Sequence, residues 1–217
     1  MNLRTPICDL FGIDVPIFLA GMGGVAYAEV CAAVSEAGGF GTLGMAGEPP
    51  EGIRAQMREV RRRTDKPFGV DLLAALPQQM LAAVDVIIEE GASAFIAGLG
   101  VPEAVIDKCH AAGLKVMSMC GKVSHAVHAE KAGCDVVVAQ GTEAGGHTGQ
   151  VAGIALIPQI VDAVSIPVLA AARVSGWERA SSPLTRRAPA SATRSGSRRW
   201  AATTRSSPAA TRESPCA

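Results

Sequence analysis

Residues 140–150 read QGTEAGGHTGQ and set one amide, one titratable ring and a nearly bare backbone side by side, in Gln140, Gly145, Gly146 and His147. An imidazole changes charge close to neutrality, so His147 can act as a general base toward a bound substrate, or order its own loop through a hydrogen bond. The glycines let backbone N–H and C=O groups meet a flat, polar molecule with no side chain in between. The Gln140 amide suits the edge of a heterocycle, and the Asp71 carboxylate, in FGVDLL (68–73), can accept from ring N–H groups. A second glycine cluster, AGMGGVA (20–26), adds Gly21, Met22 and Gly23 to the same set.

Other chemistries fit these residues less well. Gly21 to Ala26 matches the G-x-G-x-x-A dinucleotide pattern, but such a site also needs an acid at the end of the next strand, and Glu48 comes too late. His125 and His128 stand three apart on an expected helix with no third ligand at suitable spacing, so they are read as a solvated helix face. His110, near a helix end, is read as a surface residue. Gly121-Lys122-Val123 lacks the Ser/Thr and upstream glycine of a phosphate-binding P-loop, and no H-E-x-x-H is present. The six cysteines are scattered with no C-x-x-C pair and are expected to be reduced and mostly buried.

The elements that must position these residues follow from the alternation of short apolar runs with amphipathic stretches. Strands are expected at 16–20, 40–44, 68–73, 94–99, 115–119, 135–139 and 166–170, each short, mostly apolar and flanked by glycine or proline. Helices are expected between them at 27–37, 50–63, 77–90, 102–112, 123–132 and 154–164. Several of these helices end in glycine, as a left-handed C′ position prefers. The pattern implies an α/β fold with a parallel sheet, specifically a (β/α)8 TIM-type barrel that is incomplete, with about seven strands. In such a barrel ligands meet the C-terminal ends of the strands, and the glycines, Asp71, Gln140 and His147 all fall there.

Composition adds boundaries. No apolar run reaches the roughly 18–20 residues of a membrane span, and the first residues lack the apolar core of a signal peptide, so a cytoplasmic protein with no membrane partner is expected. The formal net charge of zero hides a division, because residues 173–217 hold nine arginines against Glu178 and Glu213. That segment, rich in Arg, Ser, Ala, Thr and Pro, is expected to be a disordered tail behind a barrel domain spanning 1–172. An arginine arm that grips nucleic acid is the alternative, but aromatic interleaving is confined to Trp177 and Trp200, so nucleic acid is disfavoured as a partner.

Beyond the bare residue types, PIFLAGMGGVAYAEVCAAVSEAGGFGTLG, KPFGVDLL and VVVAQGTEAGGHTGQ, followed by IPQIVDAVSIPVLAA, resemble the nitronate monooxygenase family, formerly called 2-nitropropane dioxygenases. The flavin-dependent enoyl-acyl-carrier-protein reductases share that frame. The resemblance runs from residue 5 to 172, and the AQG-x-EAGGH-x-G run carries most of its specificity. It implies a TIM barrel holding FMN at its C-terminal mouth, with Gly21, Met22, Gly23, Asp71, Gln140, Gly145 and Gly146 at the flavin and His147 as catalytic base. Asp71 stands where many members have an asparagine. The implied reaction is oxidation of a nitronate with O2 to a carbonyl compound and nitrite; the alternative is reduction of an enoyl thioester at the expense of NAD(P)H.

After IPVLAA the family continues with a double glycine and later a GT loop, which together bind the FMN phosphate. This chain reads Ala172-Arg173-Val174 instead. The change of composition at that point leads us to expect a frameshifted or truncated member, with an inactive remnant as the competing outcome, and resequencing across residues 172–173 is the check.

Overall fold

In a computed structural model the described residues are 3–172, and they form one compact α/β unit. Segment 173–217, expected to be the disordered tail, lies outside the described residues. The elements are α1 (Pro6–Phe11), α2 (Ala28–Glu36), β1 (Gly41–Gly44), α3 (Pro50–Arg63), β2 (Phe68–Leu73), α4 (Pro77–Glu89), β3 (Ala94–Gly98), α5 (Ile106–Ala111), β4 (Lys115–Cys120), α6 (Val123–Ala132), β5 (Val136–Gln140), α7 (Gly153–Ala163) and β6 (Val168–Ala171). Single 3₁₀ turns precede α5 (Glu103–Val105) and follow β5 (Thr142–Ala144).

All six strands are parallel and lie in sequence order, β1-β2-β3-β4-β5-β6. A doubly wound sheet would reverse direction at a switch point; unbroken order with a helix between each pair of successive strands is the wall of a (β/α)8-type barrel. The strands β1 to β5 are buried along most of their length, and successive side chains alternate between two layers, as a period of two requires. Phe95 and Ala97 of β3, with Val137 and Ala139 of β5, belong to the layer beneath the helices. Ala94 and Ile96, with Val136 and Val138, belong to a second, inner cluster.

That inner cluster is closed at its lower end by α1, which the apolar periodicity did not foreshadow. Pro6 stands in the first turn, where a missing N–H costs nothing, and Gly12 at φ 67° ends the helix in the left-handed conformation. The helix buries Ile7, Cys8 and Phe11, and the Phe11 ring meets those of Phe18 and Phe40 edge-on at 5.1 and 5.0 Å. Phe40 enters β1, so α1 plugs the N-terminal mouth and leaves the opposite end to the loops.

The expected strand over 16–20 is reduced to a single parallel bridge between Phe18 and Phe40. The Phe40 N–H donates to the Ile17 carbonyl (2.8 Å) and the Leu19 N–H to that of Phe40 (2.9 Å). Pro16 brings no donor, and beyond Leu19 the chain turns at Met22, whose carbonyl accepts from both Val25 and Ala26. The ladder therefore has room for one residue pair. The expected helix over 102–112 divides into the 3₁₀ turn and α5.

Five cysteines, Cys8, Cys31, Cys109, Cys120 and Cys134, are free thiols and buried; Cys216 lies outside the described residues. No helix among the described residues is long and apolar enough to cross a membrane.

Candidate functional site

Two neighbouring groups of residues gather at the C-terminal ends of the strands. The first surrounds Asp71. In the sheet register Asp71 lies beside Gly44 of β1 and Ile96 of β3, and Gly21 packs directly on its side chain. A Cβ added at Gly21 would stand 2.2 Å from both Cβ and Oδ2 of Asp71. Gly44 does the same for the backbone of Met22, where a Cβ would come within 2.5 Å of the amide nitrogen. The glycines of the 20–26 loop and of β1 thus serve close approach, bringing loop, strand and carboxyl into one cluster.

Within that cluster Asp71 Oδ1 is buried and has no hydrogen-bond partner among the described residues. Burial pushes the Asp71 carboxyl up to about 8, against the weaker opposing pull of the Gly98 backbone N–H. At neutral pH this side chain is chiefly the neutral acid.

The second group lines a cleft of about 550 Å³ between the loops after β3, β4 and β5. Gln140, His147, Thr148 and Gly149 come from the long loop after β5, and Ser118, Gly121 and Lys122 from β4 and its exit. The two loops touch backbone to backbone: a Cβ on Gly149 would lie 2.3 Å from the Gly121 carbonyl oxygen. His147 is exposed at the cleft edge. The Gln140 side chain, expected to pair with a heterocycle edge through its amide, donates one Nε2 N–H to the Gly145 carbonyl at 3.1 Å, which leaves Oε1 and the second N–H for a ligand. Gly145 (φ 87°) and Gly146 (φ 69°) lie in left-handed backbone, so this turn before His147 is open to glycine and strained for other residues.

His125 and His128 are exposed on α6, as the sequence reading expected, and both also border this cleft along with His147 and Lys122. His128 Nε2 pairs with Glu103 Oε1 at 2.7 Å. His110 is partly exposed, as expected of a surface residue, with its Nε2 2.9 Å from Asp135 Oδ2. No carboxylate lines the cleft among the described residues. Cys120, at the end of β4, offers no thiolate, because burial pushes its thiol up to about 11. No group of three His, Cys, Asp or Glu that could hold a metal occurs among the described residues.

Three participants escaped the sequence reading. Leu99 lies in the cleft wall at φ 53°, a left-handed conformation with no sequence signal in a leucine. Gly121 and Gly149 form the loop contact, and only their place after β4 and β5 hinted at it. Glu143 caps α7 across the loop: the Gly153 N–H donates to both of its carboxylate oxygens, at 2.8 and 2.9 Å. That hydrogen bond, first among several, holds the Glu143 carboxyl below the usual carboxylate range.

A group with a lowered pKa contributes stability above its unfolded-state value and loses it as pH falls through the folded one. Glu143→Ala is therefore expected to speed hydrogen exchange at Gly153 and Ile154 at neutral pH. In the parent, the protection of the same two amides relative to an unstructured peptide at the same pH should fall as the solution is taken below pH ~4. Equal exchange in both proteins at neutral pH would remove the carboxylate as the anchor of this loop.

Gln140 and His147 thus share one cleft. Gly21, Met22 and Asp71 form the neighbouring cluster, Gly145 and Gly146 shape the turn between Gln140 and His147, and Gly23 makes no close contact on its Cβ side. Gly98, beside Asp71, leads through Leu99 and Gly100 into the cleft wall. The arrangement offers a backbone-lined floor, a neutral carboxylic acid at one end, and an exposed imidazole among basic side chains at the other.

Comparison with known proteins points the same way. The family model described as nitronate monooxygenase matches residues 4–83 and 75–176. The chain is 38% identical over 174 residues to a (3aS,4S,5R,7aS)-5-hydroxy-7a-methyl-1-oxo-octahydro-1H-indene-4-carboxyl-CoA dehydrogenase of Mycobacterium tuberculosis, covering 79% of this chain and 49% of that protein. It is 31% identical to a probable nitronate monooxygenase of Staphylococcus saprophyticus, over 79% and 61% of the two chains. Among solved structures, FabK from Thermotoga maritima superposes with a TM-score of 0.74 at 38% identity, over 77% of this chain and 53% of that one. Nitroalkane oxidase from Streptomyces ansochromogenes gives 0.68 at 29% identity, over 76% and 60%. The chain therefore spans about half to three fifths of the length of these relatives.

Proposed function

The chain belongs to the nitronate monooxygenase family, and from that premise we propose that it is an FMN-dependent oxidoreductase whose substrate is a small alkyl nitronate, oxidised with O2 to a carbonyl compound and nitrite. The observation that carries the reading is the cleft lining: an exposed His147 among Lys122, His125 and a His128 paired with Glu103, with glycine backbone around them and no carboxylate among the described lining residues. A nitronate is an anion, and such a lining attracts it where an acidic one would repel it.

The residues fit a flavin. Asp71 Oδ1 is a buried polar atom without a partner among the described residues, and the glycines at 21 and 98 keep side chains away from this carboxyl. Gly21, Met22 and Asp71 would hold the cofactor on one side, and Gln140, Gly145 and Gly146 on the other, while Gly23 keeps the backbone of the 20–26 loop open. The flavin supplies one- and two-electron redox chemistry, which no side chain here offers.

His147 removes the proton beside a nitro group, or orients a substrate that arrives already ionised. Its place in the loop is set by the Gln140–Gly145 hydrogen bond on one flank and by the Gly121–Gly149 contact on the other. Lys122, in the cleft lining, adds a basic side chain to the site.

A second reading, reduction of an enoyl thioester with NAD(P)H, is favoured by the 38% identity to a relative named for a coenzyme A thioester substrate. Titrating the full chain with FMN and then adding either a nitronate under air or NADPH with an enoyl thioester separates the two. Nitrite release supports the first, NADPH consumption the second, and saturable flavin binding with neither would sink both.

A further inference from the structure

The Asp71 carboxyl is built into the fold more tightly than a solvent-facing acceptor needs to be. It projects from β2 between the Gly21–Met22 loop, Gly44 of β1 and Gly98 of β3, with Gly21 so close that any side chain there would displace it. None of the residues that face it from those elements carries a titratable group: they are Gly21, Met22, Gly44, Met45, Ile96 and Gly98. No charged group perturbs it; the Gly98 backbone N–H opposes burial only weakly, and Oδ1 is buried without a hydrogen-bond partner among the described residues. A carboxylate in such a place would keep one oxygen buried and unpaired, which disfavours the charged form.

We propose that Asp71 engages the flavin as a neutral carboxylic acid, giving the ring system one O–H donor and one carbonyl acceptor from a single side chain. The inference rests on the flavin reading above and adds to it a protonation state, hence a pH dependence, peculiar to a carboxyl at this position. A neutral acid presents the same donor-plus-acceptor pair as an amide of nearly the same size, whereas the ionised form only accepts. Flavin binding would further bury the group and strengthen the preference for the protonated form.

The sign follows from burial. The folded pKa, about 8, lies above that of the unfolded chain, so the protonated side chain favours the folded state at low pH. That contribution is lost progressively as pH rises from the ordinary carboxylate range to about 8. Ligand binding that requires the neutral form declines over the alkaline side of the same window and beyond it.

The experiment is an FMN titration of the full chain, followed by flavin fluorescence, at pH values from 6 to 9 for the parent and Asp71→Asn. With a group at about 8, the competent fraction falls from about half at pH 8 to about a tenth at pH 9, so the apparent Kd of the parent should rise ~5-fold over that unit. Asp71→Asn should bind FMN with a Kd that is flat over the range. A protonated-carboxyl infrared band, present in the parent at pH 6 and absent from Asp71→Asn, gives a readout independent of the cofactor. A parent Kd that is flat from pH 7 to 9, or an Asp71→Asn variant that keeps the parent's pH dependence, overturns the inference while leaving the flavin reading intact. Absence of saturable binding by both proteins at every pH overturns the flavin reading, and this inference with it.

Discussion

His147→Ala is expected to slow turnover of a neutral nitroalkane by ~10²–10⁴-fold, the range spanned by a lost general base. The same variant should turn over the preformed nitronate within about tenfold of the parent, because the proton is already gone. FMN affinity should not change, since His147 stands at the exposed edge of the cleft and not in the Asp71 cluster. The measurement is nitrite release from matched neutral and ionised substrates with flavin saturating. Equal losses on both would assign His147 to binding or loop order, and no loss on either would remove it from the reaction.

The second large effect is placed on a residue with no functional group. A methyl at Gly149 would sit 2.3 Å from the Gly121 carbonyl oxygen, and since both atoms belong to backbone, neither can rotate away. Gly149→Ala must push apart the loops after β4 and β5, carrying His147, Thr148 and the turn at Gly145 with it. A displacement of about 1 Å in a positioning element costs ~10²-fold in rate. The barrel wall beneath is untouched, so thermal unfolding should shift by only a few degrees. A kcat/KM within twofold of the parent would show that the loop contact does not set the geometry of the site.

The fold was largely legible because buried parallel strands and the amphipathic helices between them carry opposite periodicities. β2 and α3 fall at their expected bounds, 68–73 and 50–63, and α6 does so at 123–132. The failures have local causes. Segment 16–20 reads as a strand by composition, but composition does not record that its neighbour offers pairing for one residue only. Helix α1 is six residues long, too short for apolar periodicity to show, and only Pro6 and Gly12 marked its ends.

The site was legible as residue types and strand ends, and much less as contacts. Gln140 and His147 were placed in one loop by adjacency, and one cleft holds both. The pairing of Gly21 with Asp71 joins residues fifty apart, and the Gly121–Gly149 approach joins two loops; neither leaves a trace in spacing. The cleft beside the exposed His125 and His128 was hidden for a related reason. Three-residue spacing on a helix says which side chains share a face, and only the position of α6 against the β5 loop says that the face looks into a cleft. Asp71 could be named from sequence as an acceptor, but its protonation depends on burial, which no single residue encodes.

The five buried thiols make this fold a set of chemical clocks. A thiol-specific reagent can reach each one only when its surroundings open, and burial holds the thiols of Cys31 and Cys134 up to about 12, so that thiolate is scarce even then. Cys8 sits in the N-terminal plug, Cys31 on the buried face of α2, Cys109 and Cys134 in the layer beneath the helices, and Cys120 in that layer at the mouth end of β4. The order in which they label would tell whether the barrel breathes first from the plug, from the outer layer or from the mouth.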